Sequence, residues 1–594
     1  MSFCEEKYSE GLSLFEECNY VKAVEAFIEV YNQGFRQEEI VDDIYSCFIT
    51  PNEDEFLQNY KESRMSNKDI VDELAVDFIP VAENVFFYYN KLQKSFGNIL
   101  YLKDSTTQEL CKEFERLLIV GLNDLSSVLS AMSVKNWSKI YIILGQEKCV
   151  FYSLFKLPEF EGKYMDNVVL FDTEEQFIDY FSSNNEYLPK TVISNDNEKY
   201  LNIIDELHKI RIEDMDKVNN NVFLSICIPT YNRGNIALNS VNNILKLKYD
   251  SEIEIVISNN GSVDNTEGYE KIKNIKDNRI RYFEFEENQG YASNVRKVLE
   301  ESKGKFAVVA SDEDLMIIQN VGQYMTYLLN NMETGIVLST GYGNNFCDES
   351  ERTYKKGFEA VIKAMNSNYV TGTTFNMKYF KERNVLARFD ANRGNRFVED
   401  YAHCVMAMMT SEESDVRESG IYLWDAREEA VSENGQVKIQ HYTLPENRII
   451  QQNSAVDFLY KAMELPDEDF LNAFMERVRK TYFLVKLAGV VYREEYLNKY
   501  KWVNVCKRLH INNLELVDIY FGDYEEELKN QIKDILLQYY IENIKDDFQN
   551  NIVDDRAALI QLTLANIIAY RLESKVSIYD IDVDLLEEKI SEII

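Results

Sequence analysis

Four short apolar runs, each halted by a polar turn and separated by about twenty residues or more, limit the fold of this chain more than any other feature. "FLSICIPTYNR" (223–233) is an apolar strand stopped by Pro229, and apolar residues at Ile236, Val241, Ile244 and Leu245 follow it at helical spacing. "EIEIVISNNGS" (252–262) is a second strand that ends in a turn. "IRYFEFEE" (280–287) is a third, alternating strand, "YASNVRKVLEESKG" (291–304) a helix with Gly304 expected as its C-terminal cap, and "KFAVVASDED" (305–314) a fourth strand. Strands and helices alternating at this spacing predict an α/β domain with a mostly parallel sheet and crossover helices. Ligands of such sheets gather at the C-terminal ends of the strands, where all of this polar punctuation falls.

The rest of the chain frames that domain. At 594 residues it is too long for one hydrophobic core. Residues 1–70 read as a helical hairpin region in which Gly11, Leu14, Ala23 and Phe27 fall at tetratricopeptide-like positions, an ordinary helical hairpin being the alternative. Residues 75–210 read as a small α/β module, with strands at "VFFYY", "KIYIIL", "NVVLF" and "KTVIS" and a helix over "TQELCKEFERLLIVGL". The polar stretch "RIEDMDKVNNNV" (211–222) separates it from the domain at 220–445, and residues 446–594 carry helical patterns throughout.

Composition narrows the partners. Lys and Arg total 64 against 101 Asp and Glu, and a net charge of -37 repels nucleic acid and anionic membrane surfaces. A phosphorylated ligand would need local neutralisation by a metal ion or a few cations. The first residues lack the basic and apolar regions of a signal peptide, and no apolar run is long enough for an integral membrane segment, so a cytoplasmic location is expected. Nine cysteines are scattered without a C-x-x-C, and the four histidines share no metal-binding spacing, which argues against zinc.

Asp312, Glu313 and Asp314 end the fourth strand. Two carboxylates about 4 Å apart repel by roughly 4 kcal/mol at an effective dielectric near 20. A hard divalent cation between Asp312 and Asp314 would relieve that repulsion; a solvated acidic turn is the structural alternative. The acids do not stand alone: "PTYNR" (229–233), "SNNGSVDNT" (258–266), "NQGYASN" (288–294), "SDED" (311–314) and "VED" (398–400) occur in one order within about 170 residues. Together they resemble the family 2 glycosyltransferases of the GT-A fold, over roughly residues 222–445.

The resemblance implies a nucleotide-sugar-binding domain. Pro229, Thr230, Tyr231 and Arg233 would hold the nucleoside, and Asn259 and Asn260 would lie next to the base, Asn259 standing where the family often has aspartate. Asn288, Asn294 and Lys297 would face the donor, although the common Ala-Arg-Asn form of that motif is missing. Asp314 is implied as the direct ligand of Mn²⁺ or Mg²⁺ and Asp312 as shared between ribose and metal, with Glu313 on the donor side outside direct coordination. His441 could add a further ligand or be a surface or core histidine. Asp400 is implied as the base that deprotonates the acceptor hydroxyl, with Glu399 orienting it or touching the acceptor; a helix N-cap acid is the alternative. In-line attack with such a base implies inversion. The donor implied is a UDP-sugar such as UDP-GlcNAc, and the acceptor a hydroxyl of a protein, for instance a bacterial surface protein such as flagellin, or of a surface glycan. Oligomeric state cannot be read from these residues. A non-catalytic binding or scaffold protein on a degenerate transferase domain is the rival of another class, and a metal phosphohydrolase a more distant third.

Overall fold

The computed structural model describes residues 3–102, 114–121, 124–133, 138–184, 186–213, 222–249, 252–342, 350–367, 369–425, 445–463, 465–491 and 515–536. Its central domain opens with β1 (Leu224–Thr230), α1 (Gly234–Ile244), β2 (Ile253–Asn259), α2 (Glu267–Lys273), β3 (Ile280–Glu284), α3 (Gly290–Glu300) and β4 (Phe306–Val309). The four strands pair in parallel in the order β3-β2-β1-β4. β2 is buried at every position and β1 at all but Pro229, because helices cover both faces, and each therefore reads as a nearly unbroken apolar run. The chain steps outward from β1 to β3, then returns to the other side of β1 for β4. That reversal leaves a crevice at the strand ends, between β1 and β4.

Beyond β4 the sheet becomes mixed. β5 (Leu315–Met316), α4 (Val321–Asn330), β6 (Thr334–Tyr342), β7 (Arg352–Tyr354), α5 (Phe358–Asn366) and β8 (Thr373–Asn376) follow in the chain. Then come α6 (Met377–Glu382), α7 (Val385–Ala391), α8 (Arg396–Asp400), α9 (Ala402–Ser411) and β9 (Asp415–Asp425). The order continues β4-β8-β6-β9-β5, with β7 also on β9. β8 lies antiparallel to β4 with Thr373 opposite Val309, so the residues entering β8 lie beside the acids leaving β4.

Every residue of α9 is buried. An all-round apolar helix needs cover on both sides. It packs on β6 and β8 of the sheet and against α5, α6 and α7, and it shares one apolar cluster with the helices α10 (Pro445–Ala462) and α11 (Asp467–Val491). Arg477 on α11, 1 % exposed, fastens these helices to the end of α5 through Asn366 Oδ1 (2.6 Å) and to Gln452 (2.9 Å). Residues 515–520 and 526–536 are also helical; the remaining helical patterns expected beyond 536 lie outside the described residues.

The N-terminal helices Phe3–Glu16 and Tyr20–Asn32 pack as a hairpin, with Gly11 against the Phe27 ring. An antiparallel pair, Val76–Ala82 and Val85–Asn90, leads to a four-stranded parallel sheet. Two expectations need correction. Leu117–Val120, expected within a helix, is a strand between Ile140–Ile143 and Thr191–Ser194. Four consecutive apolar residues suit a strand buried on both faces, which periodicity alone does not separate from a buried helix. Gly304 does not cap α3, which ends four residues earlier. A Cβ there would lie 2.7 Å from the Ser225 nitrogen, so Gly304 permits close approach of backbone to β1 instead.

Arg279, 1 % exposed, fixes the frame of the parallel half. It grips Asp277 with Nε and Nη2 and donates to the carbonyls of Leu247 (2.8 Å) and Tyr249 (2.6 Å) beyond α1. Removing one partner of such a buried pair strands the other. Arg279→Met is therefore expected to cost about 3–5 kcal/mol in denaturant unfolding. Arg279→Lys should recover little of it, because an ammonium cannot reproduce the fork.

Candidate active site

Thr230, the last residue of β1, is the knot of the crevice. Its hydroxyl donates to Asp312 Oδ2 (2.6 Å), and Tyr269 OH, from α2, lies 2.8 Å from it. Tyr269 OH in turn accepts the Arg233 backbone N–H at 3.0 Å. Because the carboxylate only accepts, the bonds run one way: Arg233 N–H to Tyr269, Tyr269 to Thr230, Thr230 to Asp312. The Thr230 carbonyl accepts from the Asn260 backbone (3.0 Å) and from Asn294 Nδ2 (3.1 Å). One residue thus ties together the ends of β1, β2 and β4 and the first turns of α3.

Around this knot lies a cavity of about 550 Å³. Pro229, Thr230, Tyr231 and Arg233 line it from the end of β1, Asn260 from the end of β2, Asn288 and Asn294 from α3 and its approach, and Asp312 and Glu313 from the end of β4. Sequence reasoning missed Gly290, Tyr291, Ser311 and Val370, which also line it. Asn294 Oδ1 is buried without a hydrogen-bond partner among the described residues, an acceptor still to be satisfied.

Other expected residues stand elsewhere. Asn259 is fully buried and organises its own turn: Oδ1 accepts from Ser262 Oγ (2.5 Å), while Nδ2 donates to Tyr282 OH (3.0 Å) and Glu284 (2.8 Å). It does not line the cavity, so its implied place beside the base is not what the structure gives it. Gly261, at φ +64, lets the next residues pass within contact of Glu287, where a Cβ would meet backbone at 2.4 Å. Lys297 also turns from the cavity, pairing with Glu301 (2.6 Å) over the Phe283 ring.

The acids divide their surroundings. Arg233 Nη1 lies 3.3 Å from Asp312 and 2.7 Å from Glu313. Asp314 is fully buried and accepts Tyr369 OH on both oxygens (2.9 and 2.8 Å) and the Thr371 hydroxyl. Tyr369 and Thr371 were not foreseen, since only the β4–β8 register brings them here. Burial pushes the pKa of both Asp312 and Asp314 up; Thr230 and Arg233 oppose this at Asp312, while at Asp314 the neutral hydroxyls oppose it and Glu313 and Asp425 add to it.

Glu399 and Asp400 sit at the end of α8, whose N-cap is the Asn395 side chain. Burial raises the Glu399 pKa, but Arg393 (2.7 Å) and the Gly394 N–H hold it below the ordinary value. Asp400 accepts Arg396 Nε (2.8 Å) and Gln451 Nε2 from α10 (2.5 Å). Neither carboxylate lines the cavity. His441 lies outside the described residues.

Among the described residues no three His, Cys, Asp or Glu side chains are grouped to hold a metal unaided. Asp312 lines the cavity and fits the usual manner of Mg²⁺ and Mn²⁺ binding, one or two carboxylates completed by phosphate oxygens. Asp314, implied as the direct ligand, does not line the cavity and has its oxygens engaged by Tyr369 and Thr371. Their raised pKa values mark carboxylates short of positive charge, and their oxygens are the hard donors such ions prefer.

Residues 225–397 match the model of the family described as Glycosyl transferase family 2. Over these residues the chain is similar to that family. The match starts in β1 and stops within α8, so Glu399 and Asp400 fall just beyond it. Glycosyltransferase GlyG of Streptococcus pneumoniae is 24 % identical over 143 residues, covering 24 % of this chain and 46 % of the relative. Putative glycosyltransferase CsbB of Bacillus subtilis is 27 % identical over 217 residues, covering 34 % and 55 %. The chain thus spans about half the length of these relatives. A crystal structure of S. aureus TarS in complex with UDP-GlcNAc is 15 % identical, with a TM-score of 0.37 over 50 % of this chain and 84 % of that one.

A carboxyl whose folded pKa is raised favours folding in its protonated form, and this contribution is lost as pH rises from the ordinary carboxylate value through the folded one. At pH 7, Asp314→Asn is therefore expected to raise the thermal midpoint of the metal-free protein relative to wild type. The gain should shrink as pH falls towards 4. An unchanged or lower midpoint at pH 7 would contradict this account of Asp314.

Proposed function

We propose that this domain transfers a glycosyl group from a nucleotide sugar, a UDP-sugar such as UDP-GlcNAc, to a hydroxyl of a protein or surface glycan, with inversion. The observation that carries the reading is the cavity at the β1–β4 reversal, placed within the family 2 segment and lined by Thr230, Arg233, Asn260, Asn294 and Asp312. A glycan-bearing bacterial surface protein such as flagellin is the kind of acceptor proposed, and the flanking modules offer surface for it. Among the described residues no helix is long and apolar enough to cross a membrane.

In this proposal Asp312 and Asp314 hold Mn²⁺ or Mg²⁺, which when bound offers Lewis-acid stabilisation to a departing nucleoside diphosphate. Thr230 keeps Asp312 facing the cavity, and Asn260 and Asn294 fix the cavity wall through the Thr230 carbonyl. Arg233 partly neutralises Asp312 and Glu313 and is the cation closest to hand for a phosphate. Asp400 takes the acceptor's proton. Its bonds to Arg396 and Gln451 keep it oriented and would have to loosen or turn for an acceptor to reach it.

That same pinning favours a second reading, a domain that holds a nucleotide sugar without turning it over. Two measurements separate them. A thermal-shift panel of nucleotide sugars with Mn²⁺ should single out a donor that stabilises the protein, by about 2.7 kcal/mol at a hundredfold excess over its Kd, and Asp312→Ala should abolish the shift. Asp400→Asn should keep the shift but slow glycosyl transfer by about 10²–10⁴. Stabilisation without any turnover in wild type would support the binding reading; no stabilisation by any nucleotide sugar would exclude both.

A further inference from the structure

The described cavity has a wall that the reading above does not use. Tyr291, in the first turn of α3, lines it, and the Tyr291 hydroxyl lies 3.0 Å from Nδ1 of His403 on α9. His403 is buried, at 3 % exposure, and its Nε2 lies 3.2 Å from the carbonyl oxygen of Ser367, the C-cap residue of α5. The Cys404 thiol donates to the same carbonyl (2.9 Å) and lies 3.4 Å from Nε2; with the thiol hydrogen on the carbonyl, and a carbonyl able only to accept, Nε2 carries the proton. In the neutral imidazole Nδ1 is then an acceptor, and Tyr291 must donate to it. The tyrosine's one hydrogen is committed to the protein, and what its oxygen offers the cavity is acceptor capacity.

This arrangement selects among ligand groups. Phosphate oxygens cannot donate, and a second acceptor facing them would be repulsive. The hydroxyls of a sugar ring can donate. We propose that Tyr291, oriented through His403 by the Ser367 carbonyl, accepts a hydrogen bond from a sugar-ring hydroxyl of the bound nucleotide sugar. Tyr291 is the contacting residue and His403 a positioning residue. The proposal rests on the nucleotide-sugar reading of the same cavity, and the hydroxyl can belong either to the ribose or to the transferred sugar.

The segment that supplies the carbonyl also explains why the arrangement is fixed. Ser367 orients His403, Val370 lines the cavity, and Tyr369 and Thr371 hold Asp314. Arg477 bonds Asn366 beside it, so the C-terminal helices brace the piece of chain that sets both the acceptor and the acid.

The test uses the full chain with Mn²⁺ and measures affinity for UDP and for UDP-GlcNAc, by calorimetry or thermal shift. Tyr291→Phe keeps the ring and removes the oxygen. It should weaken binding about five- to tenfold, the effect of one hydrogen bond. Weakening with UDP alone assigns the hydroxyl to the ribose; weakening confined to UDP-GlcNAc assigns it to the transferred sugar. His403→Leu should match Tyr291→Phe, and the double variant should bind no worse than either, whereas a merely structural histidine would add its own loss. His403→Gln, which can donate to Ser367 and accept from Tyr291, should restore binding to within about twofold of wild type, and it tests the relay should the leucine variant fail to fold. Unchanged affinity of Tyr291→Phe for both ligands overturns the proposal. Failure of wild type to bind either ligand or any other nucleotide sugar would instead overturn the nucleotide-sugar reading beneath it.

Discussion

The hydrogen bond from Thr230 to Asp312 joins two strands that the chain visits eighty residues apart, and the crevice depends on it. A parallel sheet leaves its strand ends free to splay, since nothing in the ladder continues past the last pair. Here the ladder is extended by side chains: Arg233 N–H, Tyr269, Thr230 and Asp312 form a directed chain, and the Thr230 carbonyl collects Asn260 and Asn294. Bonds in such a chain polarise one another, so removing a middle member costs more than one bond. Fixing the strand ends in this way also fixes the volume between them.

The acids at the end of β4 show the opposite tendency. Burial disfavours their charge, and the protein answers with one guanidinium at Asp312 and only hydroxyls at Asp314. Such under-compensated carboxylates are a cost to folding and a resource for binding a cation. The C-terminal helices enter the same balance. Gln451 on α10 holds Asp400 and Arg477 on α11 braces the end of α5, so the C-terminal helices set the posture of both.

Much of this was legible in the residues. The apolar runs of β1, β2 and β4 and the turns that end them marked both the sheet and the edge where the cavity lies, because burial on two faces leaves a continuous apolar signature. Pro229, Thr230, Tyr231, Arg233, Asn260 and Asp312 line the cavity at that edge. What stayed hidden depends on long-range register. Tyr369 and Thr371 reach Asp314 only because β8 is antiparallel to β4. Asn259 looked like a ligand contact and is a turn organiser, a difference set by which way one side chain faces. Leu117–Val120 was misread because four apolar residues carry too little periodicity to distinguish a strand from the end of a helix.

The most direct test of the central claim, that the crevice knotted by Thr230 is a nucleotide-sugar site, is a structure of the full chain with UDP-GlcNAc and Mn²⁺. The nucleotide is expected between β1 and β4, against Thr230, Asn260 and Tyr291, with the ion on Asp312 and Asp314 and Arg233 displaced from Asp312. A nucleotide bound elsewhere, or Asp312 still paired with Arg233 and free of the ion under saturating ligand, would contradict it.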